Sequence, residues 1–459
     1  MAQPCPRAGL RQLRCTVPAG LIAALQLLIG CQSYEPQAID LAAHQVKWRE
    51  RSASRESLTE FARELGEASY QDSNFNPTDG ISLREGRHIA LVFNPDLRLA
   101  RLEAGVARAT ADFAGLWDDP ELSIDVLNIT QTVPDPWIIS SALAFTIPIS
   151  GRLKVEKARA EANLHAELER VFESEWEVTR KLTDTWLKWS AEGLKLEETR
   201  VIISKLDRIV ESASILAEAG ELPQTEAALF AIEQASRRAT ERQLRAQVEE
   251  REQELRSVLG LSPSATLDLI PALSIGPAPD AAELPSHDHP TLARLRYQHE
   301  VADRDLHLEI KKQYPDITFG PQAEAEEGQS RIGFIGAIPI PILNSNKGGI
   351  AEARAAREVA LAAFETDYER IVGRLAVLRA RHSGILSRRA ILMRDLVPLV
   401  DRQVTDANRL FELGEGSSVV LFETLLQANE ARLRLIDLQL EEALTTSEIL
   451  FLLGPRTRK

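Results

Sequence analysis

His287, Asp288 and His289 form the closest gathering of metal-ligating side chains in the sequence. Two imidazoles flanking a carboxylate could begin a transition-metal site, but a zinc centre needs at least a third protein ligand, and none is evident. His289-Pro290 also has a structural reading, because proline suits the first turn of a helix. No metal is therefore expected. The acids Glu412, Glu415 and Glu423 bracket a Gly-Glu turn and are candidates for a negatively charged throat, against the alternative of solvated surface charge. Most other carboxylates lie at helix-surface spacing beside Arg or Lys, where ion pairing explains them. There is no phosphate-cradling glycine loop, no Gly-x-Ser-x-Gly turn and no His-Glu-x-x-His. The residues imply no cofactor and no catalysis, so any work needing energy would be driven by a partner.

The cysteines point elsewhere. Arg7, Arg11 and Arg14 form a positive stretch without acids, Val17 to Ile29 is a short apolar run, and Leu28-Ile29-Gly30-Cys31 follows. This resembles a bacterial lipoprotein leader with its lipobox, which would be removed to leave Cys31 as the lipid-modified first residue. A transmembrane anchor is the rival reading, but a spanning helix needs about 20 residues. Gln32, rather than Asp, follows the cysteine and directs such lipoproteins to the outer membrane. Of the three cysteines, Cys5 and Cys15 would leave with the leader, so no internal disulfide is expected. Met393 would be the only methionine kept.

The chain has 459 residues, with 54 Lys plus Arg against 68 acids and a net charge of -14. Nucleic acid is an improbable partner, since phosphate contacts need clustered cations. Abundant Ala, Leu, Glu and Arg with few aromatics predict long helices.

The chain repeats itself at a period of about 195 residues. Asn94-Pro95-Asp96-Leu97 is matched by His289-Pro290-Thr291-Leu292, Gly220-Glu221 by Gly414-Glu415, and Leu259-Gly260 by Leu453-Gly454. Each unit reads as a helix, two short strands, a very long helix and a returning helix. The strands are predicted at Leu122 to Ile129, Ile139 to Ile147, Ile317 to Ala323 and Arg331 to Ile340, with hairpin loops at Thr130 to Trp137 and Glu324 to Ser330. Alternation places Ile139, Leu143, Phe145 and Ile147 on one face and Ser140, Ala142, Ala144 and Thr146 on the other. In the last strand Ile332, Phe334 and Ile338 share a face. The long helices are predicted at Gly151 to Glu218 and Ile350 to Leu413, and the returning ones at Thr225 to Leu259 and Ser418 to Leu453. A heptad seam runs through Leu164, Leu168, Val171, Val178, Leu182 and Trp189 in one helix. Leu421, Leu425, Ala428, Leu435 and Leu438 continue it in another. Nearer the N-terminus, a charged helix is predicted within Val46 to Leu65. Four strands cannot close a barrel, and open edges are not viable in lipid, so several chains would have to pool them.

These residues resemble the TolC-like outer-membrane efflux protein family. The resemblance rests on the Ser82-Leu83-Arg84-Glu85 capping box, the Asn94-Pro95 signature, and the proline-marked passages Phe145-Thr146-Ile147-Pro148-Ile149 and Ala337-Ile338-Pro339-Ile340-Pro341. The helical tips Gly220-Glu221-Leu222-Pro223 and Gly414-Glu415-Gly416-Ser417 add to it. The resemblance implies a mainly α fold with a small β part, built from the duplicated helix-strand-strand-long helix-helix unit. It implies a homotrimer whose twelve strands close one outer-membrane barrel, continued by a periplasmic α-helical barrel. Ile139, Leu143, Phe145, Ile147, Ile332, Phe334 and Ile338 would then face outer-membrane lipid. The tips would meet a periplasmic adaptor, which joins an inner-membrane transporter of the resistance-nodulation-division type. Relatives often carry acids at positions that here are Leu421 and Thr424, which puts the usual acidic ring in doubt. Ile340 to Gly349 resembles the branch paired with heavy-metal exporters.

The expected division is a leader over 1–30, a lipid-anchored segment over 31–81, a first repeat over 82–271, a linker over 272–288, a second repeat over 289–455 and a tail over 456–459. The expected role is a passive duct. Two alternatives stay open: a lipid-anchored periplasmic coiled-coil scaffold, and the exit channel of a protein-secretion system.

Overall fold

The structure is a computed structural model that describes residues 34–54, 56–59, 79–130, 136–280, 282–326, 329–413 and 415–455. The chain divides into two compact units, Met1–Trp48 and Arg49–Lys459. In the first, Asp40 caps helix α1 (Leu41–Glu50) by accepting from Ala43 N at 2.9 Å. Within Val46 to Leu65, where a charged helix is expected, residues 46–50 belong to α1 and 56–59 are helical again. α1 ends at Glu50, and Ser54 Oγ accepts from the Ser57 amide at 3.2 Å at the start of the next helical residues; residues 60–65 lie outside the described residues.

In the second unit the order helix, strand, strand, long helix, returning helix occurs twice. The first set is α2 (Leu83–Phe93), α3 (Pro95–Phe113), β1 (Glu121–Asn128), β2 (Trp137–Ile147), α4 (Arg152–Glu218) and α5 (Gln224–Val258). The second set is α6 (Pro290–Lys311), β3 (Ile317–Glu326), β4 (Gln329–Ala337), α7 (Lys347–Ile391), a π-helical turn (Leu392–Leu396), α8 (Val397–Glu412) and α9 (Ser418–Leu453). The 67 residues of α4 span about 100 Å at 1.5 Å each. The strands form one antiparallel sheet in the order β1-β2-β3-β4.

The predicted α2 start holds in detail. Ser82 Oγ accepts from the Glu85 amide at 3.3 Å, and Glu85 Oε2 accepts from the Ser82 amide at 2.9 Å. Asn94 does three jobs at once: its Oδ1 accepts from the Asp96 and Leu97 amides, and its Nδ2 donates to the Val258 carbonyl at 2.9 Å. That last bond ties Asn94-Pro95 to the Leu259-Gly260 end of the first half. Gly260, at φ +71°, lies so close to the Phe93–Asn94 backbone that a Cβ there would be 2.1 Å from the Phe93 carbonyl oxygen. In the second half Gly454 (φ +78°) packs against His289 more loosely, a Cβ there standing 3.2 Å from the nearest His289 atoms. The repeat anchors are the points where each half closes on itself.

Among the described residues, three hydrophobic clusters hold the unit. Leu58, Ile89, Phe93, Leu182, Trp186, Leu255 and Leu259 join the start of the first half to its end. Leu292, Ile371, Leu375, Leu378, Ile449 and Leu453 do so in the second. The third gathers Ile202, Leu206, Phe230, Leu421 and Leu425. The expected seam needs correction. Val178 and Leu182 are buried, but Leu164, Leu168, Val171 and Trp189 are only half-buried, and Ala162, Ala166 and Trp186 take buried positions. In α9, Leu421, Leu425 and Ala428 are buried, whereas Ile436 replaces Leu435 and Leu438. An antiparallel bundle with neighbours on two sides drifts off a strict heptad and favours small residues where helices approach.

The second long helix is also not uniform. Pro398 has no amide hydrogen and its ring crowds the carbonyl four residues back, so an unbroken α-helix is disfavoured there. The backbone widens into the π turn instead, with the Val397 amide donating to the Leu392 carbonyl.

Candidate functional site

The sheet register assigns every side chain to a face, because directly paired residues of antiparallel strands point the same way. Leu122 pairs with Leu143, Val126 with Ile139, Phe145 with Phe319, Ile147 with Ile317, Ala323 with Ile332 and Pro321 with Phe334. Together with Ile124 and Trp137, these form one apolar face across all four strands. It is open to the surroundings: Ile332 is 87% exposed, Phe334 82% and Ile124 64%. Phe145 and Phe319 lie with ring centroids 6.5 Å apart.

The opposite face is mostly small and polar. It carries Ser123, Asp125, Ser140, Ala142, Ala144, Thr146, Thr318, Gln322, Glu324 and Arg331, with Leu127, Ile138 and Ile335 as its apolar exceptions. Thr146 and Thr318 hydroxyls are 3.2 Å apart, and Arg331 pairs with Glu324 at 3.2 Å and Glu326 at 2.7 Å. Among the described residues, β1 and β4 each pair on one side only, so the sheet has two open edges.

Several boundaries differ from expectation, and β2 already begins at Trp137, which was expected in the first hairpin loop. β4 ends at Ala337, so Ile338 lies just past the strand rather than within it; Pro339 and Pro341, which cannot donate to a ladder, follow directly. The second hairpin loop is also shorter than Glu324 to Ser330. Pairing continues through Glu324–Arg331, Ala325–Ser330 and Glu326–Gln329, because the ion pairs of Arg331 hold the polar residues in the ladder.

Three features of this region were not read from the sequence. A Cβ at Gly320 would stand 1.7 Å from the Leu143 carbonyl oxygen, so β2 and β3 approach there as only glycine permits. Glycine followed by Pro321 inside a strand was the available signal. Arg152, at the start of α4, binds Asp118 (2.9 Å), Glu156 (2.8 Å) and Asp316 (3.0 Å), tying the entrances of β1 and β3 to the long helix. Finally, Arg51 donates to the Gly260 carbonyl at 3.1 Å and Leu58 is fully buried, so part of the expected 31–81 segment packs into the core.

The helix limits at the two turns lie within about one residue of those expected. α4 stops at Glu218 and α5 starts at Gln224, with the Glu221 and Leu222 amides donating to the Leu216 carbonyl. α8 stops at Glu412 and α9 starts at Ser418, with the Glu415 and Gly416 amides donating to the Leu410 carbonyl. Leu222 joins the third cluster beside Val419 and Phe422, and the Phe230 and Phe422 rings meet edge to face at 4.8 Å. Both tips therefore lie at one end of the bundle. Gly220, Glu221, Pro223 and Ser417 belong to these turns; Gly414 and Cys31 lie outside the described residues. Glu415 and Glu423 are exposed, whereas Leu421 and Thr424 are buried within the chain.

The histidine pair is divided. The His287 side chain is 85% exposed, whereas His289 is buried in the closure against Gly454. Burial, partly opposed by the nearby Glu173 carboxylate, pushes the His289 imidazole below its ordinary pKa and keeps it neutral. Among the described residues, no group of three His, Cys, Asp or Glu could hold a metal ion. In the segment Ile340 to Gly349, Asn346 takes a left-handed conformation (φ +52°) and donates to the Glu309 carbonyl at 2.8 Å and its carboxylate at 2.7 Å. Bonds from Lys312 and Asn346 hold the Glu309 carboxyl below its usual range. Asn346 thus fastens the start of α7 to the end of α6.

No helix among the described residues is long and apolar enough to cross a membrane. The sequence matches no model of a known protein family and no curated protein. Its structure does have solved likenesses. The outer-membrane channel OprN superposes with a TM-score of 0.70 at 16% identity, covering 93% of this chain and 98% of that one. The outer membrane protein VceC of Vibrio cholerae gives 0.68 at 16%, over 81% and 96%. The CmeC outer membrane channel of Campylobacter jejuni gives 0.67 at 13%, over 85% and 91%. The chain has the fold of these outer-membrane proteins. It is the TolC-like fold, mainly helical with a small antiparallel sheet.

Proposed function

We propose that this chain is one of three identical subunits of an outer-membrane efflux channel, a passive duct for substrates delivered by an inner-membrane pump through a periplasmic adaptor. The observation that carries this reading is the sheet: one face exposed and apolar across four strands, the other polar, and both edges open. In water that arrangement invites aggregation. In a bilayer it is stable only when the edges pair, and twelve strands from three copies close a barrel with an apolar outside and a polar lumen.

In this arrangement Ile139, Leu143, Phe145, Ile147, Ile332 and Phe334 meet lipid, and Ser140, Ala142, Ala144 and Thr146 line the lumen. The repeats over 82–271 and 289–455 supply the helical barrel, with the stretch 272–288 linking them. The tips around Gly220-Glu221-Leu222-Pro223 and Gly414-Glu415-Gly416-Ser417 receive the adaptor. Glu412, Glu415 and Glu423 supply the negative charge at the periplasmic aperture, because Leu421 and Thr424 are packed inside the subunit. Acyl chains on Cys31 add the outer-membrane tether, and the pump is of the resistance-nodulation-division type.

The test is the native mass of the protein extracted from outer membranes in mild detergent, followed by single-channel recording in planar bilayers. A trimer with stable conductance is expected. A monomer or dimer without conductance leaves four or eight strands, too few for the barrel, and replaces the channel with the tethered scaffold.

A further inference from the structure

A cavity of about 490 Å³ opens where the start of the first half meets the end of the second, between α2, α4, the connection after Ile270 and the last turn of α9. Its size falls within the range of small-molecule sites. One wall is apolar: Ile275, Pro277, Leu450, and the Trp176 and Phe451 rings, which stack with centroids 6.1 Å apart. Trp176 is held there by its own bond, Nε1 donating to the Phe451 carbonyl at 2.9 Å. The wall is therefore preformed.

The opposite wall carries Arg87. Among the described residues it has no acidic partner. One guanidinium nitrogen makes a long bond to Thr183 Oγ1 at 3.4 Å, and its buried Nε has no acceptor. A cation left so poorly paired against apolar surface is costly, and burial pushes its pKa below the ordinary arginine value. Arg180, the second cation, lies over the Phe451 ring at 5.1 Å and is already paired with Asp184 at 3.1 Å. Asp280, the acid at this cavity, is exposed and its carboxylate accepts from the Ala282 amide. Charge complementarity at Arg87 therefore calls for an anion.

We infer that this cavity binds a small amphipathic anion, an aromatic or apolar body bearing one acidic group, with the acid on Arg87 and the body against Trp176 and Phe451. The site lies outside the sheet and the helical tips and does not depend on either. The full chain in non-ionic detergent is titrated with 2-naphthoate, and saturable binding is followed by isothermal titration calorimetry. Arg87→Met keeps the apolar stem and removes the charge; it is expected to weaken binding at least tenfold. Ala278→Phe fills the cavity from an irregular segment and leaves Arg87 in place; it is expected to abolish saturable binding without lowering the melting temperature. Uncharged 2-naphthamide should bind the wild type at least tenfold more weakly, and millimolar inorganic phosphate should not displace 2-naphthoate. Equal binding by the wild type and a folded Arg87→Met, retained binding in Ala278→Phe, or no saturable binding at all overturns the inference. Displacement by phosphate at matching concentration also overturns it, by making the site one for simple anions.

Discussion

Phe334 and Gly333 are neighbours in β4 whose side chains point to opposite faces. Phe334 stands across from Pro321 on the apolar face, and Gly333 across from Gln322 on the polar one. An arginine at each position thus adds the same charge to the same strand, one residue apart. At the bilayer midplane a lipid-facing arginine costs about 2–4 kcal/mol, falling to about 0–1 kcal/mol near the interfaces. Three copies multiply that to roughly 6–12 kcal/mol for Phe334→Arg, comparable to the whole stability of a typical domain. Gly333→Arg meets open space, since no atom lies within 4 Å of a Cβ built there, and faces a polar surface, so a cost under about 1 kcal/mol is expected. In water the two changes would hardly differ, because Phe334 is already exposed in the single chain. Outer-membrane fractions of both variants are run unheated for trimer content, and purified protein is tested for conductance. Phe334→Arg should lose most of its trimer; Gly333→Arg should assemble and shift ion selectivity toward anions. If Phe334→Arg assembles and conducts like the wild type, or both variants fail equally, the assignment of faces is wrong.

Asn94→Ala removes a helix cap and strands the Val258 carbonyl; a loss of about 1–3 kcal/mol is expected, read from the chemical unfolding of helical circular dichroism. Gly260→Val, which would drive side-chain atoms into the Phe93 backbone, should prevent accumulation of folded protein. Gly105→Ala, on an open helix surface, should be neutral or gain up to about 1 kcal/mol. His289 is held neutral with a lowered pKa. Its contribution is therefore full above the unfolded value near 6.5 and is lost as pH falls through the folded value. The melting temperature should drop more between pH 7 and pH 5 for the wild type than for His289→Asn, which also offers the cap that Asn94 provides in the first half. An equal drop in both would place the pH dependence elsewhere.

Local signals carried the elements well. The capping box at Ser82, the Pro95 and Pro290 starts, and the proline-free run of α4 each depend on neighbours a few residues apart, so spacing alone reveals them. Period-two alternation gave both faces of β2 for the same reason. The end of β4 was misjudged because Ile338 keeps the alternation while Pro339 and Pro341 stop the ladder. The heptad seam was only half right because Trp186 is fully buried in the cluster with Leu58 and Leu255, which come from separate segments, while Trp189 packs against it only partly buried.

The sequence by itself determined the order of helices and strands, which strand positions are apolar, and that the same order of elements occurs twice. These follow from backbone sterics and hydrophobic periodicity, which act over single turns or pleats. Only the tertiary structure decided that Asn94 closes on Val258 and Gly260, that Arg152 ties two strands to α4, and that Gly320 admits a close strand approach. It also decided that Leu421 and Thr424 are buried between helices and that Arg87 faces an open cavity. Such facts depend on pairing and packing between residues scores of positions apart, and no local pattern of residue types encodes which of many compatible partners they meet.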